Sequence, residues 1–384
     1  MTTVIHSARL VDGDRIVDDA WVLFDRGLVA ETGVGEGWRN AAAREVIDAT
    51  AVAGAGALLT PGFIDIHGHG GGGASYDDGV EAIRVARALH RAHGTTRAVI
   101  SLVTAPLDEL ERRVRMVADL TETDGDVLGS HLEGPFLDAA HRGAHRAELL
   151  RHPAPGPLAA LLAAGRGTVR QVTLAPELPG GLDAIRLVTQ AGAAAAVGHT
   201  GADAGQSLAA FDAGATILTH AFNAMPGLHH RAPGPVGAAA NDSRIVLEII
   251  ADGVHVHPGV IRMLCASAPG RFALVTDAMA AAGVGDGTYS LGNRTVQVVD
   301  GVARLEGGGS IAGSTSTQDA ALRLVVGAGV PLTEAVAALT STPARAIGEG
   351  HRLGRLAAGF AADAVLLSAD LRVRGVWTAG APSA

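Results

Sequence analysis

The chain has 384 residues, 48% of them hydrophobic and 18% charged, with a formal net charge of −9. This much apolar material excludes an intrinsically disordered chain, and the negative balance, with no basic cluster interleaved with aromatics, argues against a nucleic-acid binder. The lone Cys265 excludes an intramolecular disulfide and argues against a thiolate metal site, and all 30 basic residues are arginine, which excludes lysine Schiff bases, a Walker lysine and a carboxylated-lysine metal bridge.

Taken from the start, MTTVIHSARLVDGDRIV has no basic segment followed by a long apolar one, and no stretch approaches the roughly 18 apolar residues of a membrane span. No membrane association and a cytoplasmic location are expected. Residues 1–58 alternate valines with the turn signals VDGD, FDRG and VGEG, which reads as antiparallel β-structure. From residue 62 the pattern changes to short β-branched runs separated by alanine-rich helical stretches. Strands are expected at 62–67, 95–101, 127–132, 169–174, 194–198, 214–219, 244–250 and 272–276, and helices at 79–93, 107–119, 181–192, 202–213 and 257–268.

Eight strands in βα alternation predict an α/β fold, a (β/α)8 TIM-like barrel rather than an open sheet. Residues 287–306 read as strands with a turn at VDG, a β-hairpin beside the barrel, and 351–384 returns to the β pattern of the N-terminus. The expected organisation is therefore a barrel over 59–350 with a hairpin insertion near 287–306, and a small β-sandwich domain built from 1–58 and 351–384.

In a barrel the functional groups sit where strands end and βα loops begin. His67 and His69 end the first predicted strand, Glu133 follows the third, His199 and His220 end the fifth and sixth, and Asp277 ends the eighth. Side chains alternate across a strand, so the i, i+2 spacing of His67 and His69 turns both imidazoles to one side. A lone histidine at a strand end is more often a satisfied polar residue than a ligand. Four histidines and two carboxylates at successive strand ends have no packing explanation and point to one site. The glycines at 70–73 leave a second reading open, a backbone cradle for phosphate. Imidazoles and carboxylates without thiolate suit a catalytic Zn, Fe, Mn or Co ion, which acidifies water and polarises a carbonyl, while a neighbouring carboxylate such as Asp277 shuttles the proton.

The segments PGFIDIHGHG, HLEGPF, GHT, HAFNAM, ADGVHVHP, LVTDAM, IAGS and TPARAIG occur in this order over essentially the whole chain. Together they resemble the amidohydrolase superfamily and, within it, the N-acetylglucosamine-6-phosphate deacetylases. The resemblance implies the same barrel with a small β-sandwich. It also implies that Glu133, His199 and His220 hold the main divalent metal and that Asp277 is the catalytic acid/base. His67 and His69 complete a second metal position, bridged by Glu133; some members lack this histidine pair and keep one ion, so one or two ions per subunit are expected. By the same resemblance Ala144, His145, Asn223, Ala224, Arg231, Asp252, His255, Ile311, Ala312 and Gly313 contact the sugar phosphate, with the arginine acting across a homodimer interface.

The implied reaction is hydrolysis of the acetyl group of N-acetyl-D-glucosamine 6-phosphate, a small-molecule amino sugar phosphate, to D-glucosamine 6-phosphate and acetate. An alternative is the same chemistry on N-acetylgalactosamine 6-phosphate or another N-acylated amino sugar. A non-catalytic interaction protein on this scaffold would have lost metal ligands, and none is missing here.

Overall fold

The computed structural model describes residues 2–292, 294–307 and 309–383. Met1, Asn293, Gly308 and Ala384, which the expected domain spans include, lie outside the described residues. Eight parallel strands follow one another in chain order in a single sheet: Phe63–Asp65, Thr95–Val103, Val127–Glu133, Val169–Leu174, Ala194–Val197, Ile217–Leu218, Val246–Ile250 and Phe272–Val275. Helices between them cover its outside, the arrangement of a TIM-like barrel. Val80–Ala92 shows why they pack: Ile83, Ala86, Arg87 and His90 fall on one stripe at helical spacing and are buried. Local punctuation is equally plain at Ala204–Ala213, where Asp203 and Gln206 form a capping box and Gly214 closes the helix at φ 118°.

The ring has one seam, because among the described residues the first and eighth strands share no ladder. Side chains and loop backbone join them instead. Gln318 Nε2 donates to both Ile64 O (2.9 Å) and Leu274 O (3.2 Å), and Thr276 Oγ1 donates to Asp65 Oδ2 at 2.6 Å. Just beyond the strand ends, Asp277 N donates to His67 O and His69 N to Ala278 O, each at 2.8 Å.

Strands from both chain ends lie in one further eight-stranded sheet that includes Thr2–Asp12, Arg15–Asp25, Leu58–Pro61, Ala364–Leu367 and Val373–Thr378. It has its own apolar core around Phe24, Leu59, Leu366 and Trp377. A buried ion pair ties it to the barrel: Arg97 on the second barrel strand donates to Asp363 from Nε (2.6 Å) and Nη2 (2.9 Å). The segment after the eighth strand forms three antiparallel strands, Gly287–Leu291, Arg294–Val299 and Val302–Leu305, one more than a simple hairpin. Among the described residues no helix is long and apolar enough to cross a membrane.

Candidate metal and substrate site

The strands end where the backbone bends sharply. His199, His220 and Asp277 all have positive φ (46°, 26° and 46°), as do Phe222 and Ala224 (77° and 49°). Non-glycine residues adopt this region at a cost of about 1–3 kcal/mol each, and such strain concentrates at functional sites. Here the bend breaks the strand and swings each side chain toward the barrel mouth. The glycine run plays a different part: Gly70–Gly71 pairs with Ala74–Ser75, and Gly72 and Gly73, at φ 61° and 86°, make the tight turn between them.

Four imidazoles meet around one carboxylate. Glu133 Oε1 lies 3.1 Å from His199 Nε2, 3.2 Å from His220 Nε2 and 3.3 Å from His67 Nε2, while its Oε2 lies 3.0 Å from His69 Nε2. Asp277 Oδ1 is 3.2 Å from His69 Nε2 and 3.7 Å from His67 Nε2. The structure thus brings His67, His69, Glu133, His199, His220 and Asp277 into one cluster, all of them buried. Two of the imidazoles are held from behind: His199 Nδ1 donates to His141 O at 2.9 Å, and His67 Nδ1 sits 3.0 Å from Glu248 Oε2.

These residues fit a divalent metal on their own geometry. His67 Nε2 is buried without a hydrogen-bond partner, although it lies 3.3 Å from Glu133 Oε1. His67, His69 and Glu133 offer ligand atoms within 4.8 Å of one another, and so do Glu133, His145 and His199. Electrostatics agree. Burial opposes a charged imidazole, yet Glu133, Glu248 and Asp277 outweigh it at His67 and raise it well above its ordinary value, and His69 is pushed up to about 9 by Asp277 and Glu133. Burial likewise opposes the Asp277 carboxylate, but His67 and His69 bring it down to about 2. The cluster calls for positive charge at its centre, which an ion supplies.

Above the cluster opens a cavity of about 400 Å³. Of the sequence-predicted substrate contacts, Ala144, His145, Asn223, Ala224, His255, Ile311, Ala312 and Gly313 line it, with His69, Glu133, His199, His220 and Asp277. Asp252 does not line it but holds a residue that does, accepting from His255 Nδ1 (2.6 Å) and from the backbone N–H of His255 (2.9 Å). Burial opposes charge on His255, and Asp252 raises it nonetheless. Arg231 lies exposed on the loop after the sixth strand and does not reach the cavity of its own chain.

Several participants have no strand-end signal. Arg146 and Arg294 supply cationic side chains to the cavity from a loop and from the three-stranded insertion, and Thr104 Oγ1 lies 2.9 Å from His145 Nδ1. Beneath the cluster, His131 is wedged between Ser101 Oγ and Thr173 Oγ1, 2.8 Å from each, and burial pushes it well below its usual range, so it is a neutral spacer against His67. Glu248, on the seventh strand, carries the only sequence hint, a carboxylate inside the apolar run RIVLEII.

The model of the amidohydrolase family matches residues 58–382. The chain belongs to this family. Among curated amidohydrolase relatives it is 39% identical over 385 residues to N-acetylgalactosamine-6-phosphate deacetylase of Escherichia coli O157:H7, covering 99% of each chain. It is 36% identical over 328 residues to N-acetylglucosamine-6-phosphate deacetylase of Vibrio furnissii, covering 84% of this chain and 82% of the relative. The crystal structure of N-acetyl-D-glucosamine-6-phosphate deacetylase from Mycobacterium smegmatis superposes with a TM-score of 0.92 at 42% identity, over 100% of this chain and 99% of that one. A mutant of the Mycobacterium smegmatis enzyme solved in complex with N-acetyl-D-glucosamine-6-phosphate gives a TM-score of 0.93, again at 42% identity, over 100% of this chain and 99% of that one.

Proposed function

We propose that this amidohydrolase is a metal-dependent deacetylase that converts N-acetyl-D-glucosamine 6-phosphate to D-glucosamine 6-phosphate and acetate. The observation that carries the reading is the convergence of Glu133, His199, His220 and Asp277 at the floor of a cavity flanked by cationic groups. Relatives named as deacetylases of N-acetylated hexosamine 6-phosphates support it.

Glu133, His199 and His220 would hold one divalent ion and His67 and His69, with Glu133, a second; such an ion, Zn, Fe, Mn or Co, acidifies water and polarises the acetyl carbonyl. Asp277 takes the proton from the attacking water and returns it to the amine nitrogen as the C–N bond breaks. Neutral His145, kept so by burial and steadied at Nδ1 by Thr104, donates from Nε2 to the carbonyl oxygen as negative charge develops there. His255, braced by Asp252, binds the phosphate through a charge-assisted hydrogen bond, and Arg146, paired with Glu148, and Arg294 also line the cavity. Arg231, exposed and outside its own cavity, fits the role of a phosphate ligand for the neighbouring copy in a homodimer acting in the cytoplasm.

An acetate-release assay over N-acetylglucosamine 6-phosphate, N-acetylgalactosamine 6-phosphate and unphosphorylated N-acetylglucosamine tests this reading, with metal content measured on the same sample. The highest kcat/KM is expected on the first. A higher kcat/KM on its epimer would move the substrate to the galactosamine series, and no acetate release from any would overturn the reading.

A further inference from the structure

Glu248 is fully buried near the middle of the seventh barrel strand and does not line the cavity. A carboxylate removed from water costs several kcal/mol unless charges and donors compensate it. Its compensation here is specific. Oε2 lies 3.0 Å from His67 Nδ1 and accepts the backbone N–H of His220 at 3.2 Å, and Oε1 accepts from Gln171 Nε2 at 2.7 Å. No arginine pairs with it among the described residues. One carboxylate therefore grips two ligand-bearing segments from strands on different sides of the ring, the histidine after the first strand and the backbone bend after the sixth. Their imidazole centroids are 5.4 Å apart.

We propose that Glu248 is a positioning residue for metal binding: it accepts the Nδ1–H of His67, so that the lone pair of Nε2 faces Glu133, and Gln171 fixes the carboxylate in that orientation. The proposal rests on the metal-dependent reading above. Outer carboxylates of this kind set the tautomer and raise the basicity of a ligating imidazole, and their loss typically costs 10- to 100-fold in metal affinity. Because Glu248 lies below the cluster and out of the cavity, it acts through His67 and does not touch the substrate.

The test is stepwise addition of Co²⁺ to the metal-free full-length protein, followed by visible absorption and by equilibrium dialysis. Wild type, Glu248→Gln, Gln171→Met, His67→Ala and the double variant Glu248→Gln/His67→Ala are compared, each checked for a cooperative thermal melt. Glu248→Gln is expected to weaken at least one bound Co²⁺ by about 10- to 100-fold. Gln171→Met, which keeps the charge, should weaken it less and in the same direction, and it carries the test if Glu248→Gln does not fold. In the His67→Ala background Glu248→Gln should have little further effect, a non-additivity that a general packing role would not produce. Unchanged Co²⁺ affinities in both Glu248→Gln and Gln171→Met, or an equal loss with and without His67, would overturn the proposal while leaving metal dependence standing. Wild-type protein that binds no Co²⁺ would remove both.

Discussion

The Nε2 atoms of His199 and His220 lie 3.0 Å apart, and both lie within 3.2 Å of the same oxygen, Glu133 Oε1. Two ring nitrogens at that distance repel unless a proton or a cation is shared between them. A divalent ion meets the requirement with all three ligands at once, and its binding to the native state alone stabilises the fold. At an ion concentration 100 times Kd the gain is about 2.7 kcal/mol. Exhaustive treatment with a chelator is therefore expected to abolish acetate release and to lower the melting temperature, and re-addition of a divalent metal should restore both. Full activity in protein shown to be metal-free would exclude this account.

Replacing Asp277 by Asn keeps the shape of the side chain and removes its capacity to carry a proton. Asp277→Asn is expected to lower kcat by about 10²- to 10⁴-fold, with KM changed far less. The measurement pairs steady-state kinetics with metal analysis, since a variant that had merely lost its ion would show the deficit in both.

Asp252 stands outside the cavity and holds His255, which lines it. Removing a hydrogen bond to a charged group costs about 1.5–3 kcal/mol, so Asp252→Asn should reduce kcat/KM for the phosphorylated sugar by about 10- to 100-fold. The loss should appear mainly in KM and be much smaller for unphosphorylated N-acetylglucosamine. An equal loss on both substrates would mean that Asp252 supports the pocket in general and not the phosphate contact.

Acid sensitivity follows from His90. Burial pushes it down to about 4, its Nε2 donates to Gly70 O at 2.9 Å, and it lies under the glycine loop. In the unfolded chain the same imidazole takes up its proton near pH 6.5. The native state thus binds fewer protons than the unfolded state as pH falls from about 6.5 toward 4. The stability contributed by neutral His90 is present above that window and is lost through it. The melting temperature should decline over this range in wild type and decline less in His90→Gln; parallel curves would assign the decline to other groups.

The barrel was legible because its strands are short β-branched apolar runs, buried on both faces, and most of the helices between them carry a stripe with a period of 3.6 residues. Pro155–Ala164 was not, since PGPLAALLAA is apolar all round and shows no stripe to read. The strand-end rule points to the six residues of the cluster because each interrupts an apolar run where the chain must turn. It is blind to Glu248, placed two residues before its strand ends, and to Arg146 and Arg294, which reach the cavity from segments whose positions depend on tertiary packing. Arg231 illustrates the converse: its place beside HAFNAM suggests a substrate contact, but the loop carries it away from its own cavity.

The seam of the ring joins partners 211 positions apart in the chain, Asp65 and Thr276. Closing so long a loop costs conformational entropy, which the contacts across the joint must offset. The histidine pair and Asp277 lie on opposite lips of this joint, and Gln318, further along the chain still, bridges its two edges, so the cluster is complete only where those edges meet. A chain whose ring is open at this joint thus holds the histidine pair apart from Asp277, and closure of the barrel and completion of the cluster are one structural event.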